Sequence, residues 1–407
     1  MKLRYLMTAL SILLLSGCSP APSHGPQPEE PFPSVPSLSE EERFLYDCID
    51  QTLFEEQILP ARTCQGNPIT WEVLSGSAEL RDGQLFRTED AEEYTIISLK
   101  ASTPESEAVF DHLTLTGPAV ASLITYFTSD GQDREQLKLA YTYNGTYWFK
   151  VNNDRGILKP SKGTGRLRDP ALVRKPGGGF SLLATQGYDT DSIYVFDTDD
   201  LVHYENERLL RLNDSADGSM SRKQAWAPEA FYDNLLDTYV ILWSSPEDGG
   251  VFASASQDLH ECSFPLRFFD PGFPIIDITL AHTSNGRTAI FKDEREPMET
   301  YSVLLRAGGP CWYELEAESD PVFPRHQLEG PMLIKSPEKP GWFLYADDYT
   351  RSTFLPLYAD SLETGSFREL EEKDGELLLP IEQPAHGYAV PVTWSELERI
   401  FAVYPDP

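Results

Sequence analysis

Four short motifs recur at nearly equal distances along the C-terminal part of the chain, and that regularity restricts the fold more than any other feature. They are Arg168-Asp169-Pro170, Trp226-Ala227-Pro228-Glu229, Ile276-Asp277-Ile278-Thr279 and Glu329-Gly330-Pro331. Trp226 follows Asp169 by 57 residues, Asp277 follows Trp226 by 51, and Glu329 follows Asp277 by 52. Each motif opens an apolar stretch and is followed by matching text, FSLLATQG, TYVILWSS, RTAIFKDE and GWFLYADD, which reads as a second strand. A repeat of about fifty residues built from four short strands is the signature of a β-propeller blade. Four blades are expected from about residue 166 to about 372. Strand-like text on both sides, YFTSDGQDREQLKLAYTYNGTYWFKVN before and HGYAVPVTWSELERIFAVYP after, predicts a fifth blade shared between the two ends, because a propeller leaves no open sheet edge. The expected fold class is all-β: a five-bladed β-propeller over 118–407, preceded by a small β-sandwich over 41–117.

The sandwich expectation rests on ITWEVLSG, AELRDGQLFR, YTIISLKAS and FDHLTLTG, which alternate at period two between Gly and Asp breaks. With Thr70-Trp71 and the Asp82-Gly83 turn, this stretch resembles the immunoglobulin-like modules that precede catalytic domains in some secreted glycosidases. Upstream, MKLRYLMTALSILLLSGCSP carries two early positive charges, an apolar run from Leu6 to Leu15 and then small residues, the pattern of a secretion signal over 1–17. The run is too short to span a bilayer as a helix. Leu15-Ser16-Gly17-Cys18 resembles a bacterial lipobox, which implies acylation of Cys18 and an extracytoplasmic protein held to the membrane only through that lipid. Residues 18–40 are rich in Pro, Ser and Glu and read as a disordered tether. Export permits disulfides, and Cys48 with Cys64 lie close enough to staple the small domain; Cys262 and Cys311 complete the set. No Cys-x-x-Cys or Cys/His cluster suggests zinc.

In a propeller the first strand of each blade lines the central axis, so Asp169, Asp277 and Glu329 converge although far apart in sequence. Glycosidic cleavage needs one carboxylic acid to protonate the leaving oxygen and one carboxylate to activate water or attack the sugar. A third negative charge nearby raises its neighbour's pKa. Asp277 is the hardest to read as structural, since it interrupts the apolar run FPIIDITL, where an unpaired carboxylate is costly. These motifs, together with Phe291-Lys292-Asp293-Glu294-Arg295, resemble glycoside hydrolase family 43 in order and spacing over roughly 118–407. The resemblance implies inverting hydrolysis of arabinofuranosyl or xylosyl linkages, with Asp169 as general base, Asp277 as the pKa-tuning acid and Glu329 as general acid. It makes Glu229 a pocket-shaping element. It also places His386, in AHGYAVP, near the axis, where it would hold water or a cation beneath the sugar; the alternative is a hydrogen-bonded structural histidine. Arg168, Trp226, His386 and Arg351 are the expected substrate contacts, with Arg351 a candidate partner for Glu329. Trp342 reads either as a sugar platform or as blade core. No cofactor and no metal are expected to be required.

Charge narrows the partners. With 65 acidic against 33 basic residues the formal charge is −32, which repels nucleic acid and anionic headgroups but not a neutral polysaccharide. A monomer acting on polysaccharide or oligosaccharide is the expectation. Two alternatives remain: a fructan-cleaving relative, which shares Arg-Asp-Pro but usually carries a Glu-Cys acid motif that Glu261-Cys262 does not match in context, and a glycan-binding propeller without turnover.

Overall fold

The computed structural model describes residues 30–370 and 377–405. The signal segment, Cys18 and the first part of the tether lie outside the described residues. The rest is nearly all β. Five four-stranded antiparallel sheets follow one another. Sheet I comprises Arg168–Arg174, Phe180–Thr185, Ser192–Thr198 and Glu205–Arg211. Sheet II comprises Trp226–Asp233, Thr238–Ser245, Gly250–Ser256 and Leu266–Phe269. Sheet III comprises Ile275–Thr283, Gly286–Asp293, Leu304–Gly309 and Glu316–Ala317. Sheet IV comprises Leu328–Lys335, Trp342–Asp348, Thr353–Ala359 and Arg368–Glu369. Sheet V takes its first strand, Pro384–Thr393, from the C-terminal end and its other three, Ala119–Thr128, Lys138–Thr142 and Trp148–Lys150, from the segment before sheet I.

Burial explains why these sheets stack in a ring. The second strands Phe180–Thr185, Thr238–Ser245 and Gly286–Asp293 are buried at every position rather than at alternate ones, so both of their faces are covered. The apolar side chains sort into clusters that each bridge two neighbouring sheets. Val173 and Leu183 of sheet I pack with Ile241 and Trp243 of sheet II. Val251 of sheet II packs with Ile278 and Phe291 of sheet III, and Ile290 of sheet III with Leu344 and Leu357 of sheet IV. Met332 and Tyr345 of sheet IV pack with Ile124 and Trp148 of sheet V, and Leu123 and Val392 of sheet V with Leu172 and Leu182 of sheet I. Each fully buried Leu, Ile or Phe contributes about 1.5–3 kcal/mol, so the seams between sheets hold the ring together. Its five first strands meet in a cycle at the centre.

The N-terminal unit is a four-stranded sheet in the order Thr52–Phe54, Glu107–Thr116, Thr95–Ser102, Thr70–Ser75, with the first pair parallel. The hairpin Ala78–Arg81/Gln84–Arg87 adds Leu80 and Leu85 to the same core. A helix not expected from the sequence, Glu40–Tyr46, heads the unit; Ser39 and Glu42 cap it reciprocally. The unit docks where the first strands of the ring end. Asp47 accepts two bonds from Arg287, at 3.0 and 2.9 Å, and one from the Trp312 backbone at 2.8 Å. The Gly177 backbone donates to Thr114 Oγ1 at 2.8 Å. On the C-terminal helix Trp394–Val403, Glu396 accepts from Tyr94 at 2.9 Å and from Arg174 at 2.7 Å.

The part of the tether that is described, residues 30–39, has no regular structure but lies against the ring: Phe32 meets the Trp312 ring edge-on at 6.3 Å, and Glu30 accepts from the Phe264 backbone at 2.6 Å. Cys48 and Cys64 do not staple the unit. All four of Cys48, Cys64, Cys262 and Cys311 are free thiols, with Cys48 turned onto the Leu45 carbonyl and Cys64 towards Glu40.

Candidate active site

Every first strand begins with the same irregularity. Pairing with the second strand slips between Arg168 and Ala171, Trp226 and Glu229, Ile276 and Thr279, Glu329 and Met332, and Ala385 and Tyr388. A bulge of this kind re-aims side chains and is common at functional edges. In four of the five, the residue after the slip begins has left-handed backbone: Asp169 (φ 46°), Ala227 (φ 46°), Asp277 (φ 52°) and Gly330 (φ 52°). For residues other than Gly that conformation costs on the order of 1 kcal/mol or more and persists only where surroundings enforce it. The bulges also correct the register of the repeat. Asp169 and Asp277 are equivalent, His386 occupies their place in sheet V, and Glu329 stands one position earlier, with Gly330 in the equivalent place.

The bulges surround a cavity of about 450 Å³ to which Asp169, Asp277, Glu329 and His386 all contribute. His386 Nδ1 lies 3.6 Å from Asp169 Oδ1 and 3.8 Å from Asp277 Oδ2, so one imidazole nitrogen faces both carboxylates. Asp277 is 6% exposed. Its Oδ2 accepts the Gly330 N–H at 3.0 Å, and its own N–H donates to Ser244 Oγ at 3.0 Å. Burial pushes the Asp277 carboxyl up to about 6; Glu329 and Asp169 add to the rise, while His386 and Lys292 oppose it. Glu329 Oε2 accepts from Lys292 Nζ at 3.0 Å, and Lys292 also meets Glu294 at 2.9 Å. Burial works against the charge on Lys292, but Glu329, Asp277 and Glu294 outweigh it and hold the ammonium above the usual lysine range. Asp347, opposite Glu329 in the sheet register, is pushed well above the carboxylate range by burial and by Glu329, Asp277 and Asp169, against the His386 N–H that it accepts at 3.1 Å.

Arg168, Trp226 and His386 line this cavity as the sequence suggested. Arg168 is not a free cation: it meets Glu135 at 3.4 Å and lies over the rings of Phe127 and Tyr188 at 4.7 and 4.8 Å. It therefore supports an aromatic wall in which Tyr188 also meets Trp226 edge-on at 5.7 Å. Arg351 departs from expectation. Its side chain is 63% exposed and pairs with Asp348 at 3.6 Å, three residues back, while Lys292 takes the place beside Glu329. Trp342 belongs to the packing around the seam of sheets III and IV, not to the cavity. Glu229 is buried and is not among the residues lining the cavity; burial, with a smaller push from Asp277, raises it well above its usual range, against a hydrogen bond with Thr279. Sequence reasoning missed Lys292, Asp347 and Tyr188. The signal for the first two was a charge ending an apolar second strand, where burial demands a partner. Among the described residues no group of three or more His, Cys, Asp or Glu side chains is arranged to hold a metal ion.

Residues 117–398 match the model of a family related to glycoside hydrolase family 43, described as "Probable glycosyl hydrolase domain". The chain belongs to this family. Over 163 residues it is 26% identical to an α-L-arabinofuranosidase of Bifidobacterium longum subsp. longum, a match that covers 35% of this chain and only 15% of that relative. Solved structures similar to this family 43-related chain include a thermostable family 43 glycoside hydrolase (18% identity, 50% of this chain and 72% of that one, TM-score 0.40). Others are an exo-β-1,3-galactanase of Phanerochaete chrysosporium with galactose (14%, 50% and 49%, 0.39) and a family 43 protein of Bacillus licheniformis (12%, 68% and 56%, 0.42).

Proposed function

We propose that the five sheets are the blades of a five-bladed β-propeller and that its axial cavity hydrolyses arabinofuranosyl or xylosyl linkages with inversion. The observation that carries this reading is the meeting of Asp169, Asp277 and Glu329 around one cavity, two of them on a single histidine nitrogen. Asp169 takes a proton from the attacking water as a bond forms to the anomeric carbon. Glu329 gives its proton to the glycosidic oxygen as the carbon–oxygen bond breaks. Lys292 holds Oε2 of Glu329, which leaves Oε1 to carry that proton. Asp277, fixed by the Gly330 N–H, tunes both. The cavity holds an excess of carboxylates, with Asp130, Glu294 and Asp347 besides the three, and this favours neutral over acidic sugars. The similarity to the Bifidobacterium α-L-arabinofuranosidase supports arabinose as the sugar.

The N-terminal unit, in this reading, is an immunoglobulin-like module that packs rather than binds. Cys18 is the lipid anchor of an extracytoplasmic monomer. The experiment is incubation of the purified protein with arabinan, arabinoxylan, xylo-oligosaccharides, levan and aryl glycosides, with the product anomer followed by proton NMR. Release of pentose as the inverted anomer supports the reading. Fructose from levan, the retained anomer, or glycan binding without release contradicts it.

A further inference from the structure

One residue near the end of each second strand in sheets I to IV occupies an equivalent position in the ring. Thr185 pairs with Arg168, Ser244 with Trp226, Lys292 with Ile276 and Asp347 with Glu329, each opposite the residue at which its own sheet's bulge begins. Their side chains do not serve that bulge. Each reaches the bulge of the next sheet round the ring. Thr185 Oγ1 accepts the Ala227 N–H at 2.8 Å, Ser244 Oγ accepts the Asp277 N–H at 3.0 Å, and Asp347 Oδ2 accepts the His386 N–H at 3.1 Å. Lys292 makes the corresponding step to Glu329, this time to the carboxylate. The four are buried, at 1%, 1%, 2% and 4% exposure for Thr185, Ser244, Lys292 and Asp347.

A bulge takes its extra N–H out of the ladder, and a buried N–H without an acceptor costs about 1–3 kcal/mol. The acceptor one sheet away removes that cost and fixes the left-handed or bulged residue in one orientation. For Ala227 the orientation aims no functional group. For Asp277 and His386 it decides where a carboxylate and an imidazole stand.

We infer that Ser244 and Asp347 are positioning residues, which set Asp277 and His386 in the cavity through the backbone N–H of the following sheet's bulge. The inference rests on the proposed hydrolytic reading for its kinetic consequences. Asp347 acts here as a hydrogen-bond acceptor, so an amide oxygen can replace it; Ser244 acts as a hydroxyl, so threonine can.

The test uses the whole protein with Ser244→Ala, Ser244→Thr, Asp347→Ala, Asp347→Asn and, as a matched deletion of the same contact, Thr185→Ala. Misplacement of a reacting group by about 1 Å costs on the order of 10²-fold in rate. Ser244→Ala and Asp347→Ala are expected to lose kcat on that scale with KM within about threefold, and Thr185→Ala to lose at least tenfold less. Ser244→Thr and Asp347→Asn are expected to restore most of the rate. Independently of turnover, the titration of the His386 ring, followed by NMR of ¹³C-labelled histidine and assigned with His386→Gln, should move in Asp347→Ala and stay in Asp347→Asn. Equal losses in all three alanine variants, failure of the conservative variants to rescue, or an unmoved His386 titration overturns the inference. A parent protein with no turnover on any glycan refutes the hydrolytic reading instead, and the histidine titration then decides the positioning alone.

Discussion

Asp277→Asn separates what the carboxylate does for chemistry from what it costs the fold. Burial raises its pKa from 3.8 to about 6, so between those values the folded chain binds a proton that the unfolded chain releases. Stability from this group is therefore present at low pH and is lost as pH rises towards and through about 6. At pH 8 the difference corresponds to about 3 kcal/mol against a permanently neutral side chain; at pH 4, close to the ordinary carboxylate value, most of it is gone. Asparagine keeps an oxygen to accept the Gly330 N–H, and its neutral amide stands in for the protonated acid. Asp277→Asn should therefore raise the unfolding free energy by roughly 3 kcal/mol at pH 8 and hardly at all at pH 4, while sugar release falls. Urea denaturation at the two pH values measures it. An equal change at both, or a loss of stability at pH 8, would refute the electrostatic reasoning, whatever happened to activity.

Three further outcomes follow from the contacts. Lys292→Met leaves Glu294 and Glu329 facing each other without a cation and should cost about 3 kcal/mol by denaturation, with a loss of turnover that Lys292→Arg partly restores. Arg287→Ala strands the buried Asp47 carboxylate at the junction of the N-terminal unit and the ring; a loss of about 3–5 kcal/mol and a separate early transition in calorimetry are expected, and a single unshifted transition would contradict the docking described. With four free thiols in the described residues, the melting temperature should be the same with and without reductant; a drop on reduction would reveal a disulfide.

The repeat was legible because it is written in residues that are rare at such positions. An aspartate inside FPIIDITL, or the Trp-Ala-Pro-Glu that opens an apolar strand, stands out against its neighbours. The register of the bulges was not legible. Asp169, Asp277 and Glu329 look equivalent in sequence, yet Glu329 sits one place earlier and His386 is the true counterpart in sheet V. Only the pairing of the second strand, which no spacing encodes, reveals that shift. Lys292 and Asp347 lay inside motifs that were quoted, but their partners Glu329 and His386 belong to the next sheet, 37 and 39 residues away. Arg351 misled because nearness to a strand end says nothing about direction: the turn places it back over Asp348. The Glu40–Tyr46 helix, by contrast, carried a readable capping box in Ser39 and Glu42 that the surrounding Pro and Ser residues obscured.

The most direct test of the account is the dependence of Glu329→Gln on its leaving group. Removing a general acid should nearly abolish release of pentose from a natural oligosaccharide, whose leaving sugar needs a proton. It should spare a dinitrophenyl pentoside, whose phenolate leaves unaided. The account predicts that contrast, with the parent protein active on both substrates. Equal losses on both, or none on the natural glycan, would contradict the assignment of Glu329 as the acid in this cavity.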